Sequence, residues 1–187
     1  DYMEYNRCLV DSDYVIYCGT IMPNNWGGAN GMGVVNGLAS ARSCRATHRY
    51  PIIGHQESHH CDPRTSHFNT HKRAMLTRLE EATGKQFFFV NAFISDGLGV
   101  AAFHAGHAQE LNEVEWDFME KHYQVDSPQA DILVAGIPGK LGYSDSHNPL
   151  TFLTSIMVIP RWWVGKPLMR EGGVLIGLGE CRGIYDD

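Results

Sequence analysis

Residues 131–137 read DILVAGI, an apolar run after one leading aspartate. A run of that length and composition suits a strand covered on both faces, as in a parallel sheet. It stops at Pro138-Gly139, a strong punctuation signal. Residues 150–159 (LTFLTSIMVI) then predict a helix, Gly165-Lys166-Pro167 a turn, and 173–178 (GVLIGL) the next strand. Strand, helix and strand at this spacing make a βαβ unit, right-handed by default. The fold class is therefore α/β.

The upstream sequence extends the pattern. Residues 14–19 (YVIYCG) read as a buried strand, and 27–37 (GGANGMGVVNG) are too glycine-rich for an element interior. A helix is expected to begin inside that run and continue to about Arg45, followed by a loop over 48–63 that holds Pro51, Gly54 and Pro63. Residues 66–83 predict an amphipathic helix, with Met75, Leu76, Leu79 and Ala82 on one stripe and Gly84 at its end. Residues 86–93 (QFFFVNAF) and 100–104 (VAAFH) read as strands joined through Asp96-Gly97, a hairpin dipeptide. A second helix is expected over 107–123, with Leu111, Val114, Phe118 and Met119 inward. Ser127-Pro128 breaks it and marks the expected domain boundary, giving domains 1–127 and 128–187.

Composition narrows the function classes. With 43% hydrophobic and 19% charged residues, the chain has the make-up of a folded globular protein. A net charge of −6 and the lack of any Lys/Arg run argue against a nucleic-acid surface, which needs clustered cations. No apolar stretch reaches the roughly 20 residues of a membrane helix, and no signal peptide is visible. The five cysteines are odd in number and widely spaced, which points to a reducing, cytoplasmic setting. Because the sequence opens on Asp1, its true N-terminus is expected to lie further upstream.

Ten histidines stand out. His55, His59, His60, Cys61 and Asp62 form a dense set of metal-ligand types, and His67 and His71 repeat the four-residue spacing. Zinc or nickel binding and a polar loop near a domain interface are the readings of that set. His48, beside Arg49, has the chemistry of a divalent-metal ligand or of an ordinary loop histidine. The loop at 27–37 can cradle a phosphate with its backbone N–H groups, or simply turn tightly; it lacks both G-x-G-x-x-G after a strand and a Walker lysine. His104 and His107 read as structural, and Trp162 and Trp163 as packing residues or, with Arg161, as the wall of a substrate pocket.

Several stretches, taken in order, resemble the nickel-dependent lactate racemase family and its divergent relatives. They are the 14–19 strand with Met22-Pro23-Asn24 and the glycine run, Thr47-His48, and FFFVNAF with AFHAGHAQE. ADILVAGIPG at 130–139, Asn148-Pro149-Leu150, GKPL at 165–168 and REGGVLI at 170–176 complete the set. The resemblance covers nearly the whole chain. It implies two α/β domains, with 1–127 the latter part of the N-terminal domain and 128–187 the start of a Rossmann-like second one. It also implies a nickel-pincer nucleotide held between the domains and a small 2-hydroxy acid substrate that is racemised or epimerised by hydride transfer.

Carried over residue by residue, the family pattern makes Gly28, Asn30, Gly31 and Gly33 cofactor-binding and His48 the nickel ligand. It also implies departures. Asn24 stands where the family has an acid/base histidine, and an amide cannot exchange a proton at neutral pH. Val34 stands where the family has a lysine that anchors the cofactor covalently. The family's substrate Gln and Lys have no evident match in 145–153. Its first acid/base histidine and an arginine segment precede the region present here. Two other readings accompany this one: a cofactor-binding or inert homologue, and a zinc-dependent hydrolase built on the residues from His55 to Asp62.

Overall fold

A computed structural model describes residues 2–21, 33–53, 55, 62–95, 97, 99–138, 140–141, 144–145, 148–161, 163–181 and 183. Its contacts divide the chain into two compact units, Asp1–Gln124 and Val125–Asp187. Among the described residues no helix is long and apolar enough to cross a membrane.

The first unit is built on three strands in the order β1 (Ile16–Ile21), β2 (Phe88–Ile94) and β3 (Val100–His107). β1 and β2 run parallel, and β2 and β3 pair antiparallel across residues 95–99, as the Asp-Gly hairpin signal predicts. Helix α1 (Cys8–Asp11) precedes β1, and the short helices α2 (Val34–Gly37), α3 (Ala41–Thr47) and α4 (Tyr50–Ile53) follow it. Two long helices come next: α5 (His67–Thr83) before β2 and α6 (Ala108–Tyr123) after β3.

The single helix expected to reach Arg45 is thus broken at Leu38–Ser40. Ser40 takes an extended conformation and caps α3, its side chain accepting from the Ser43 N–H. It is held there from outside: its hydroxyl donates to Glu4 Oε2 at 2.7 Å, and Tyr5 forms a bridge with Ala39. The loop expected over 48–63 contains a helical turn, α4. Pro51 is its second residue, in a first turn where a missing N–H costs nothing.

The helix α5 follows its sequence signals. Ser66 accepts from the Asn69 N–H, and Gly84 adopts φ 66°, the left-handed end favoured by glycine. Its buried face runs Phe68, Lys72, Met75, Leu76 and Leu79, the i, i+4, i+7, i+8 rhythm of a helix on a core. In α6 the inward residues are Leu111, Glu115, Trp116 and Met119, whereas Val114, expected inside, is 53% exposed. The stripe is rotated because Trp116 fills the space beside Phe93 and Met119.

Both helices cover the same face of the sheet. Phe89, Asn91 and Phe93 of β2 point into it and are buried, while Ile16, Phe88 and Phe103 lie on the opposite, open face. The main core joins Phe89 to Val34, Val35, Met75, Leu76, Leu79 and Leu111.

The second unit pairs β4 (Ala130–Gly136) in parallel with β7 (Met169–Leu178), the neighbouring parallel strands expected from the βαβ reading. Between them lie the two-residue strands β5 (Lys140–Leu141) and β6 (Ser144–Asp145), helix α7 (Pro149–Val158) and a 3-10 turn, Ile159–Arg161. Asn148 caps α7 through its side chain, with Pro149 at the first position. α7 packs on β7 where the strand is bare: Ile156 lies directly over Gly177, and Phe152 over Gly179. The expectation of a strand covered on both faces fails among the described residues. Ile132, Val134, Val174 and Ile176 are all exposed, because one helix over two strands covers only one face.

Candidate functional site

The site residues read from the sequence fall into two groups. Asn24, Gly28, Asn30, Gly31, His59, His60, Cys61 and Trp162 lie outside the described residues. Gly33, Val34, His48, His55 and Asp62 lie within them.

Gly33 caps α2 with φ −60°, a conformation open to any residue. A Cβ there would run into the far end of the Tyr17 ring, 2.7 Å from Cζ and against the hydroxyl, so any other residue makes Tyr17 shift. Tyr17 comes from β1, so Gly33 lets the start of α2 sit directly on the sheet. Val34 is 1% exposed and belongs to the main core. A lysine could not replace it without burying an ammonium among apolar side chains.

His48 closes the C-terminal end of α3. Its Nδ1 lies 2.8 Å from the Cys44 carbonyl oxygen and 2.9 Å from Thr47 Oγ1. The Thr47 hydroxyl donates to the same carbonyl at 2.8 Å. With the Thr47 proton on that carbonyl, the contacts of Nδ1 suit the tautomer in which it donates to Cys44. That tautomer leaves the lone pair on Nε2, the form a metal ligand or proton acceptor requires. Phe68 packs against the ring, with centroids 5.7 Å apart and a 71° interplanar angle. His48 is exposed where α3 ends.

The histidine-rich segment is divided. His55 stacks on His67, centroids 4.1 Å apart, and His71 follows one turn along α5. Burial first, then His67 and Arg78, push the His71 imidazole below its ordinary pKa. Asp62 faces the backbone: Oδ1 accepts from the Arg64 N–H and Oδ2 from the Thr65 hydroxyl. Both oxygens therefore serve the turn that launches α5. Among the described residues no group of three His, Cys, Asp or Glu side chains could hold a metal ion. His104 packs between Phe93 and Phe118, and His107 directs Nδ1 at the Phe87 carbonyl.

Two buried ionisable residues escaped the sequence reading. Lys72 is 3% exposed on the inner face of α5, its Nζ 5.4 Å from the centre of the Phe68 ring. Burial lowers its amine to about 8. Glu115 is 1% exposed and accepts from Asn91 Nδ2 at 2.7 Å. Burial raises its carboxyl to about 7, partly opposed by the Asn91 hydrogen bond. Both sit on helix faces that also bury an asparagine, Asn69 in α5 and Asn112 in α6, so their spacing alone does not single them out.

The direction of α5 fixes where Lys72 lies. Glu80, late in the helix, accepts from the Phe87 N–H at the entry to β2. Arg73, early in it, stacks over Trp116, which packs on Phe93 near the exit of β2. α5 therefore runs antiparallel to β2, and its first turns sit at the carboxyl ends of β1 and β2. In open α/β sheets that end receives ligands.

The parallel β1–β2 pair with antiparallel β3 beside it, covered by α5 and α6, defines an α/β protein with a lactate-racemase-like fold. Among solved structures it is similar to the lactate racemase apoprotein from Thermoanaerobacterium thermosaccharolyticum, with a TM-score of 0.61 at 21% identity. The match covers 72% of this chain and 31% of the racemase chain. At that identity the likeness is one of fold. No protein-family model and no curated protein sequence matches the chain.

Proposed function

We propose that this chain forms part of a cytoplasmic racemase or epimerase for a small 2-hydroxy acid, with His48 as the protein's ligand to a nickel-pincer nucleotide. The observation that carries this reading is the His48 ring, held through Nδ1 by Cys44 within a lactate-racemase-like fold. A pincer supplies three donors of its own, so one imidazole completes a four-donor set. His48 would bring its imidazole to the nickel with the ring held at Nδ1 by Cys44. When bound, the nucleotide supplies acceptance and return of hydride at the carbinol carbon. Cys44 and Thr47 orient the imidazole, and Phe68 limits its tilt. Gly28, Asn30, Gly31 and Gly33 would approach the nucleotide through their backbone.

The anchor position does not fit. Val34 is buried in the core and offers no amine, so covalent attachment there is ruled out by its chemistry. Together with Asn24 in place of an acid/base histidine, this favours a second reading: a homologue that holds the nucleotide without turning over 2-hydroxy acids.

Metal analysis and mass spectrometry of the purified intact protein, with an assay on D- and L-lactate and other chiral 2-hydroxy acids, separate the cases. Racemase action predicts nickel, a bound nucleotide and loss of optical activity. Nucleotide without turnover supports the second reading. Zinc without nucleotide would overturn both and point to hydrolysis built on His55, His59 and His60. Nickel content unchanged in His48→Ala would end the ligand assignment.

A further inference from the structure

His67 opens α5, and His71 follows four residues later. Each stands one place before a buried residue, Phe68 and Lys72, so the two imidazoles form a row along the margin of the buried face. Both are partly exposed. Residues four apart on a helix hold their Cβ atoms about 6 Å apart. That separation lets two imidazoles reach one ion at about 2 Å from each nitrogen. The rings lie close enough to interact, since His67 is one of the groups that lower the His71 imidazole, after burial and before Arg78. His55 stacks on the His67 ring at an interplanar angle of 23°. Stacking occupies the face of an imidazole and leaves its nitrogens, which lie on the edge, open. Among the described residues no hydrogen bond or ion pair engages a nitrogen of His67 or His71.

We propose that His67 and His71 form a two-imidazole site for a divalent transition ion on the first two turns of α5, one that does not use His48. Paired imidazoles select zinc, nickel or copper and pass over magnesium and calcium, which seek oxygen ligands. His67 sits at the positive end of the helix, where an uncharged ring is favoured over an imidazolium, so it is presented in the form a metal needs. Among the described residues no set of three His, Cys, Asp or Glu side chains is available, so water or an anion from solution fills the remaining positions. With two protein donors, and with Arg78 opposing a dication, the ion exchanges with solution. A chelator removes it, and it adds nothing to the metal that stays with the purified protein. The site shares no residue with the racemase reading, so failure of that reading leaves it standing.

The test is calorimetric titration of zinc chloride, nickel chloride and magnesium chloride into the intact protein after dialysis against EDTA. Zinc and nickel should bind and magnesium should not, with the same result in His48→Ala. His67→Ala and His71→Ala should each weaken zinc binding about a hundredfold, because one donor of a chelate is lost. His55→Ala should keep most of the affinity, since it removes a stacking partner and no donor. If zinc binds the native protein only at millimolar concentration, it is an adventitious ion only and the proposal is overturned. Full affinity in either α5 variant overturns it too, as does binding that vanishes in His48→Ala. Should an α5 variant fail to fold, by circular dichroism, X-ray absorption of zinc-loaded His48→Ala decides. Two imidazoles per zinc support the site, and any other number refutes it.

Discussion

Asn91 in the middle of β2 donates to Glu115 in the middle of α6 at 2.7 Å, and both side chains are almost wholly buried. Burial holds the Glu115 carboxyl at about 7, against 4.5 for an exposed one. The folded chain therefore keeps this proton where the unfolded chain has lost it. Stability should fall as pH rises from about 4.5 to about 7 and level off above, a loss on the order of 3 kcal/mol. Glu115→Gln should be the more stable protein at pH 8 and should lack that slope. Urea unfolding at pH 5 and pH 8 measures both, and parallel pH profiles for the two proteins would refute the assignment.

Lys72 gives the opposite sign on the alkaline side. Its folded pKa of about 8 lies below the ordinary 10.5, so between those values the unfolded chain binds the extra proton. Stability should rise with pH across that window by about 3 kcal/mol. Lys72→Met should show no such rise. The difference between the two unfolding curves from pH 7.5 to pH 10 is the quantity to follow, since other groups titrate equally in both.

The ends of α5 offer a cleaner pair of tests. Ser66→Ala removes the side chain that accepts from Asn69 and should cost about 1 kcal/mol. Gly84 has φ 66° and open space where a methyl group would stand, so Gly84→Ala should cost about 1 kcal/mol through the backbone alone. The sites share no partner, so the double variant should lose roughly the sum. A double variant no worse than either single one would mean that the helix ends are not held as described.

In the second unit, Gly177 allows Ile156 to rest on β7. Gly177→Ala should destabilise that unit by about 1–3 kcal/mol, because the added methyl must displace Ile156. Adding Ile156→Ala should recover part of the loss. If the second substitution only deepens the destabilisation, α7 does not seat there.

Much of this fold was legible in the sequence. The 66–83 helix, with Ser66 and Gly84 at its ends, and the pair of strands around Asp96-Gly97 were readable because local chemistry and burial agree there. The break at Ser40 was not, because it depends on Glu4 and Tyr5, more than thirty residues away. Val114 was misplaced because spacing alone does not tell which of two adjacent stripes will meet the sheet; Trp116 decides it. For the site, His48 was named from the sequence, but its ring tautomer depends on Thr47 and Cys44. Lys72 and Glu115 looked like ordinary surface charges on amphipathic helices, and only the packing of α5 and α6 reveals them as buried.

The parallel pairing of β1 with β2 also orders events in time. β2 and β3 are joined by a few residues and can zip together in microseconds, as hairpins do. Ile21, by contrast, meets Phe93 across more than seventy residues of chain, so loop-closure entropy must be overcome before that contact forms. A refolding chain would thus acquire its hairpin early and the β1–β2 pairing late. His48 and Lys72, both within the span that must close, would be set beside the finished sheet only in that slower step.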